Sequence, residues 1–197
     1  MDAKKATSLI TNIVKGCPRI RQPENYLHHG QALTGIVLDT IHEIIQQLPE
    51  FAVDKNEMQI AGILHDIGRC FSSADVLHPV VGGEFLEEKG FPRISLIIRT
   101  HTFMKESLEQ IQYKDYMPID FLPATWNEIL ITYASLRCGR NGEYVSVDDK
   151  FEIFKSKKDP VFQNALVNGE ARIRNLCNDI EKLKNGDKET LSKFNFL

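Results

Sequence analysis

The sequence predicts an all-α domain, a helical bundle of about seven to nine helices joined by short connections. Three observations carry this. Apolar residues recur at helical spacing along most of the chain, residues with start and stop character punctuate that pattern, and no alternating strands bounded by hairpin turns interrupt it. There is no internal repeat and no low-complexity block.

In residues 4–15, Leu9, Ile10, Ile13 and Val14 share one face, and Gly16-Cys17-Pro18 stops the pattern. A long helix is expected over 26–48, where Leu33, Ile36, Val37, Ile41, Ile44, Ile45 and Leu48 keep i, i+3, i+4 spacing up to Pro49. Asp54 and Glu57 form a capping-box pair before a third helix that reaches His65-Asp66, with Gly68 expected to close it. A polar loop over 69–77 leads to a helix over 79–89, ended by Gly90, and Pro92 starts the next, which runs to His101. A short helix is expected near 105–112 and a loop over 113–124. Thr125 and Glu128 form a second capping box, opening a helix that ends near Gly139. A Gly-rich turn over 139–142 follows, then a helix capped by Ser146 that runs to about Lys155. Asp159-Pro160 begins the last helix, ending near Gly186.

The chain has 197 residues with 24 Lys+Arg against 27 Asp+Glu, a formal net charge of −3, and 42% hydrophobic residues. This fits a single domain spanning 1–197 that buries its core without staples. The mildly acidic balance excludes a dedicated duplex-nucleic-acid module. No apolar run is long enough to span a membrane, and the polar Thr11, Asn12 and Lys15 rule out a signal-peptide reading of the first residues. Cys17, Cys70, Cys138 and Cys177 are scattered without a CxxC pair, as expected of reduced thiols in the cytoplasm. The amphipathic first and last helices offer surfaces for a homodimer.

Five of the six histidines, His28, His29, His65, His78 and His101, fall at or near expected helix ends, and Asp66 follows His65 directly. A lone His-Asp pair most often marks a buried histidine held by its neighbour. Several such positions on different helices can instead converge on a metal. Neutral imidazoles with a carboxylate suit divalent Fe, Mn, Co, Ni or Zn better than Mg or Ca. If the histidines are unrelated structural residues, they should fail to converge. His42, within the long helix, reads as structural.

The ordered text Tyr26-Leu27-His28-His29-Gly30, Leu64-His65-Asp66-Ile67-Gly68-Arg69, His78-Pro79-Val80-Val81-Gly82-Gly83-Glu84, Gly90-Phe91-Pro92 and an Ile-rich run into His101 resembles the HD-domain superfamily of metal-dependent phosphohydrolases. The likeness covers roughly residues 26–155. It implies an HD-like bundle in which His29, His65 and Asp66 bind a first ion and Asp66 bridges to a second ion that His78 and His101 also bind. His29 rather than His28 fits the family's motif, because apolar Leu33 lies four residues on. The family's last ligand is an Asp, and here Ser135 stands in its place. A serine hydroxyl is a poor ligand, so two ions of total charge +4 would face one carboxylate.

The resemblance implies hydrolysis of a phosphate ester of a small phosphorylated molecule, a metabolite or nucleotide, by metal-activated water at a centre of one or two ions. Asp66 and Arg69 are the candidate catalytic residues. Arg69, Arg137, Arg140 and Lys105 are the candidate cations for the phosphoryl oxygens, with surface salt bridges as the alternative for each. Two other readings stay open: a non-catalytic HD-like domain that binds a nucleotide or phosphorylated ligand, and a di-iron oxygenase. Tyr113, Tyr116 and Phe121 suit either a pocket wall or ordinary packing.

Overall fold

The computed structural model describes residues 2–194. Among these, ten α-helices follow one another, linked by turns: α1 (Ala3–Gly16), α2 (Pro23–Gln47), α3 (Lys55–Leu64), α4 (His78–Glu88), α5 (Pro92–Arg99), α6 (Met104–Leu108), α7 (Trp126–Arg137), α8 (Val147–Lys155), α9 (Pro160–Lys184) and α10 (Lys188–Leu191). Short 3-10 turns cover Ile67–Cys70, Asp75–Leu77 and Pro118–Phe121. The only strand-like pairing among the described residues is an isolated bridge between Cys138 and Tyr144. The all-α expectation is met.

The helix boundaries follow local chemistry. The Asp2, Asp54, Ser146 and Asp159 side chains each accept a backbone N–H in the first turn of their helix. Thr125 and Glu128 form the complete reciprocal capping box at α7. Asp54 caps α3 alone, while Glu57 pairs with Arg93 across to α5. Gly90 adopts φ +81°, and the N–H groups of Gly90 and Phe91 return to the Glu87 and Leu86 carbonyls, closing α4 as a Schellman motif. α2 begins three residues before the expected start, because Pro23 is pre-organised for the first helical turn. α10 was not anticipated; its four residues are too few to show a period, yet the Asp187 carboxylate caps it and the Leu191 carbonyl accepts from Trp126 Nε1 at 3.1 Å.

α7 is the central helix. It buries every residue except Ser135 and Arg137, and α2, α3, α5, α8 and α9 pack around it. The apolar faces of α1 (Ala6, Ile10, Val14) and α9 (Ile173, Leu176, Ile180, Leu183) are buried within the chain. Both helices thus use these faces for the chain's own core. Tyr116 and Phe121 pack edge to face beside Val80, Met104 and Leu108 in a small second cluster, so packing is the role of this aromatic segment.

Two close approaches of backbone set the site. A Cβ on Gly62 would lie 2.5 Å from Thr34 Oγ1, and one on Gly30 would lie 3.1 Å from the Ile63 carbonyl, so these glycines let α2 and α3 nest. The second approach corrects the expectation for Gly68. α3 ends at Leu64 with His65 as its cap, and Gly68 lies in the following 3-10 turn without a left-handed conformation. Its function is contact: a Cβ there would collide with the His78 carbonyl and approach Gly82 N to 2.6 Å. The backbone of 67–70 therefore rests directly on the first turns of α4. Gly68→Ala should destabilise the protein by about 1–3 kcal/mol, the usual cost of overpacking. Urea denaturation with far-UV circular dichroism measures this, and unchanged stability would contradict the contact.

Candidate metal centre

His29 lies in the second turn of α2, His65 caps α3, Asp66 follows it, His78 opens α4, and His101 comes two residues after α5. These five side chains meet. The ligand atoms of His29, His65 and Asp66 lie within 4.8 Å of one another, as do those of Asp66, His78 and His101. Asp66 Oδ1 is 2.8 Å from His78 Nε2, 3.6 Å from His65 Nε2 and 4.0 Å from His101 Nε2. His78 and His101 bring their Nε2 atoms to 3.2 Å. The reading of unrelated histidines is therefore corrected by convergence. His28 is exposed, and His42 is exposed on α2, bonded to Gln46.

The orientation of each ring is fixed by the backbone. His65 Nδ1–H donates to the Gly62 carbonyl at 2.9 Å, His78 to Asp75 at 2.5 Å and His101 to Ile98 at 2.7 Å. In all three the acceptor is the carbonyl three residues upstream; those of Asp75 and Ile98 also take the His78 and Thr100 N–H groups, so a second lone pair aims the ring. His29 Nδ1–H donates to the Gly139 carbonyl at 2.9 Å, across from the turn after α7. A carbonyl only accepts, so Nδ1 carries the proton in each ring and Nε2 turns inward.

Burial pushes His65 and His78 from the ordinary 6.5 down to about 4, lowers His29, and with the neighbouring imidazoles holds His101 well below its usual value. Burial works to raise Asp66, but Arg69, His65 and His78 outweigh it and hold the carboxyl well below the carboxylate range. The cluster thus gathers four inward Nε2 atoms and one carboxylate, and His78 Nε2 meets Asp66 Oδ1 at 2.8 Å, a separation that a proton or a cation between them must bridge. That donor set fits a divalent transition metal, and the C-terminal ends of α3 and α5 add partial negative charge.

His29, Asp66, His78 and His101 line a cavity of about 890 Å³, while His65 is buried beside them. Arg69 reaches it, with Nε donating to Asp66 Oδ2 at 2.7 Å and a second nitrogen paired with Asp75. Arg140 lines the mouth, exposed, with Arg19 and Arg21. Ser135 also lines the cavity. Arg137 and Lys105 do not line it. Arg137 binds Glu181 at 2.5 Å and packs over Tyr133, and Lys105 pairs with Glu109 at 2.5 Å.

Three cavity residues escaped the sequence reading. Lys150 Nζ donates to the Cys138 carbonyl at 2.5 Å, and Lys157 pairs with Asp75 at 3.2 Å; burial lowers Lys150 and takes Lys157 down to about 8. Tyr26, one turn before His29, has a buried hydroxyl with no hydrogen-bond partner among the described residues. Only the Tyr26 spacing carried a signal, because i, i+3 places it on the face of His29.

Behind the centre, Thr102 adopts φ +57°, a strained value for a β-branched residue, immediately after His101. Thr132 Oγ1 accepts from its N–H at 3.4 Å, and Arg172 of α9 donates to its carbonyl at 3.1 Å while gripping buried Glu106 at 2.7 and 2.8 Å. The turn that aims His101 is thus held by α7 and α9.

A family model for the HD domain matches residues 34–124, a span that holds His65, Asp66, His78 and His101. An uncharacterized protein of Methanocaldococcus jannaschii is 30% identical over 172 residues, covering 85% of this chain and 94% of that protein. No solved structure matches the chain. The chain belongs to the HD-domain superfamily. Among the described residues, no helix is long and apolar enough to cross a membrane.

Two outcomes follow from this geometry. Arg172→Ala leaves Glu106 buried and unpaired and should cost about 3–5 kcal/mol, partly recovered by adding Glu106→Gln; chemical denaturation of the single and double variants checks this, and equal stability of all forms would contradict it. The folded pKa values of His65 and His78 lie below their unfolded value, so the unfolded chain takes up protons first. In metal-stripped protein the thermal midpoint should be level above about pH 6.5 and fall as the pH drops towards 4. A flat profile across that window would contradict neutral burial of these rings.

Proposed function

We propose that residues 1–197 form one HD-like domain, a cytoplasmic metal-dependent phosphohydrolase that cleaves a phosphate ester of a small phosphorylated metabolite or nucleotide. The observation that carries this reading is the convergence of four inward Nε2 atoms and Asp66 beside a cavity lined by Arg69, Lys150 and Lys157. His29, His65, Asp66, His78 and His101 would hold a divalent transition metal. When bound, such an ion supplies Lewis-acid charge to a phosphoryl oxygen and makes water a nucleophile near neutral pH.

The rest of the reaction falls to the chain's own side chains. Arg69, fixed between two carboxylates, is pre-oriented to meet a phosphoryl oxygen without first losing rotamer freedom. Lys150, Lys157 and Arg140 add positive charge as negative charge gathers on the transferring group. Tyr26 has a hydroxyl free to donate to an oxygen of the substrate. Asp66, held ionised, would serve as a metal ligand and hydrogen-bond acceptor and not as a proton donor. Phe154 and Phe162 give the cavity an apolar wall, and its volume fits a small molecule. The four cysteines are free thiols, even Cys17 and Cys70, which lie side by side, and this supports the cytoplasmic assignment.

Ser135 favours a second reading, a domain that binds a phosphorylated ligand without turning it over. A panel of phosphomonoesters and nucleotides, assayed for phosphate release with Fe, Mn, Co, Ni or Zn, separates the two. Hydrolysis is expected, with His65→Ala and Asp66→Ala each slowing it by at least ~100-fold, about 2.7 kcal/mol of barrier. Thermal stabilisation by a nucleotide with no phosphate release under any ion would establish the second reading instead.

A further inference from the structure

Six cations, Arg19, Arg21, Arg69, Arg140, Lys150 and Lys157, line the cavity against two carboxylates, Asp66 and Asp75, although the chain as a whole carries a net charge of −3. These cations form two sets. Arg69 is held between Asp66 and Asp75, Lys157 also binds Asp75, and Lys150 binds the Cys138 carbonyl, next to the carbonyl that orients His29. Arg19, Arg21 and Arg140 are exposed at the mouth, and their side chains have no ion-pair or hydrogen-bond partner among the described residues. The inner set is anchored beside the histidines, and the outer set is unpaired charge.

The outer arginines stand on fixed backbone. Arg19 and Arg21 occupy the turn between α1 and α2, where Cys17 Sγ–H donates to the Cys70 carbonyl at 3.5 Å and the Ile20 N–H returns to the Cys17 carbonyl at 3.2 Å. Ile20, between the two arginines, packs on the core. Arg140 lies in the turn over 139–142, which rests on α2: a Cβ on Gly142 would lie 2.9 Å from Ala32 Cβ and 3.1 Å from His28 Nε2.

α2 itself starts without a side-chain cap. Gln22, at the cap position, instead accepts the Asn25 side-chain N–H on its Oε1 at 2.8 Å, and both residues line the cavity. The backbone N–H groups of Glu24 and Asn25 therefore lack acceptors among the described residues. Tyr26, in the same turn and also lining the cavity, buries a hydroxyl that has no partner either. Two guanidinium groups, open first-turn N–H groups and an unpartnered hydroxyl thus adjoin one another at this side of the cavity. All of them are donors, and a guanidinium fork matches phosphate oxygens.

We infer that the substrate carries two separate phosphate groups, one that is cleaved at the histidine centre and a second that is bound by Arg19, Arg21 and the start of α2. The inference rests on the reading of the site as a phosphohydrolase and names its substrate class. A monophosphate engages the inner cations and leaves the mouth unpaired; a second phosphate offsets that charge as well. Arg19, Arg21 and the start of α2 all lie outside the span 34–124 that the family model matches, so this subsite is built from other parts of the chain.

The test compares matched pairs on the full-length chain: fructose 1,6-bisphosphate with fructose 6-phosphate, and adenosine 3′,5′-bisphosphate with adenosine 5′-monophosphate. Phosphate release with Mn(II) gives kcat/KM, and isothermal calorimetry on the metal-stripped chain gives Kd without turnover. In at least one pair the bisphosphate should be favoured by at least ~10-fold, about 1.4 kcal/mol, in both measurements. Arg19→Gln combined with Arg21→Gln should erase that preference. Equal values within both pairs, or a preference that survives the double variant, overturn the inference, and phosphate release then leaves the phosphohydrolase reading standing. A binding preference without phosphate release overturns that reading and keeps the subsite. Neither release nor preference overturns both. The comparison within pairs needs no variant to fold.

Discussion

The site depends on four hydrogen bonds in which a backbone carbonyl takes the Nδ1–H of a histidine. Each bond fixes a tautomer, sets a ring plane and turns Nε2 inward. Three of the carbonyls belong to short helices or turns beside the cluster, and those of Asp75 and Ile98 accept a backbone N–H as well. The second lone pair of a main-chain carbonyl is therefore what aims each of these imidazoles. His29 is the exception. Its acceptor comes from the turn after α7, so its orientation depends on long-range packing.

These bonds aim the rings, and the glycines bring them within reach of one another. Gly30 and Gly62 allow α2 to approach α3, which places the His29 and His65 rings 5.4 Å apart between centroids. Gly68 and Gly82 press the turn after Asp66 onto α4, which puts His78 within 2.8 Å of Asp66. The network of Thr132, Arg172 and Glu106 then holds the strained turn that presents His101. Stability of the bundle and geometry of the site rest on the same contacts.

Much of this was legible in the sequence because it is local. Capping residues and apolar period located nine of the ten helices, and the ordered histidines marked the centre. Gly68 was misread because a glycine after a helix looks like a cap, whereas its partner, the backbone of α4, is ten or more residues away in sequence. Arg137 and Lys105 were misplaced for a related reason. A cation near a site in sequence points wherever its helix face points, and theirs lead to Glu181 and Glu109. Lys150 and Lys157 reach the cavity only because α8 folds back over it, which no local pattern announces. Ser135 of α7, unlike its buried neighbours, lines the cavity.

The central claim is that the backbone holds the imidazoles with the proton on Nδ1 and Nε2 turned inward. Nitrogen-15 NMR of histidine-labelled, metal-stripped protein at neutral pH reads the tautomers directly. His29, His65 and His101 should be neutral with the proton on Nδ1. Protons on Nε2 of these three rings, or imidazolium signals from them, would contradict the account.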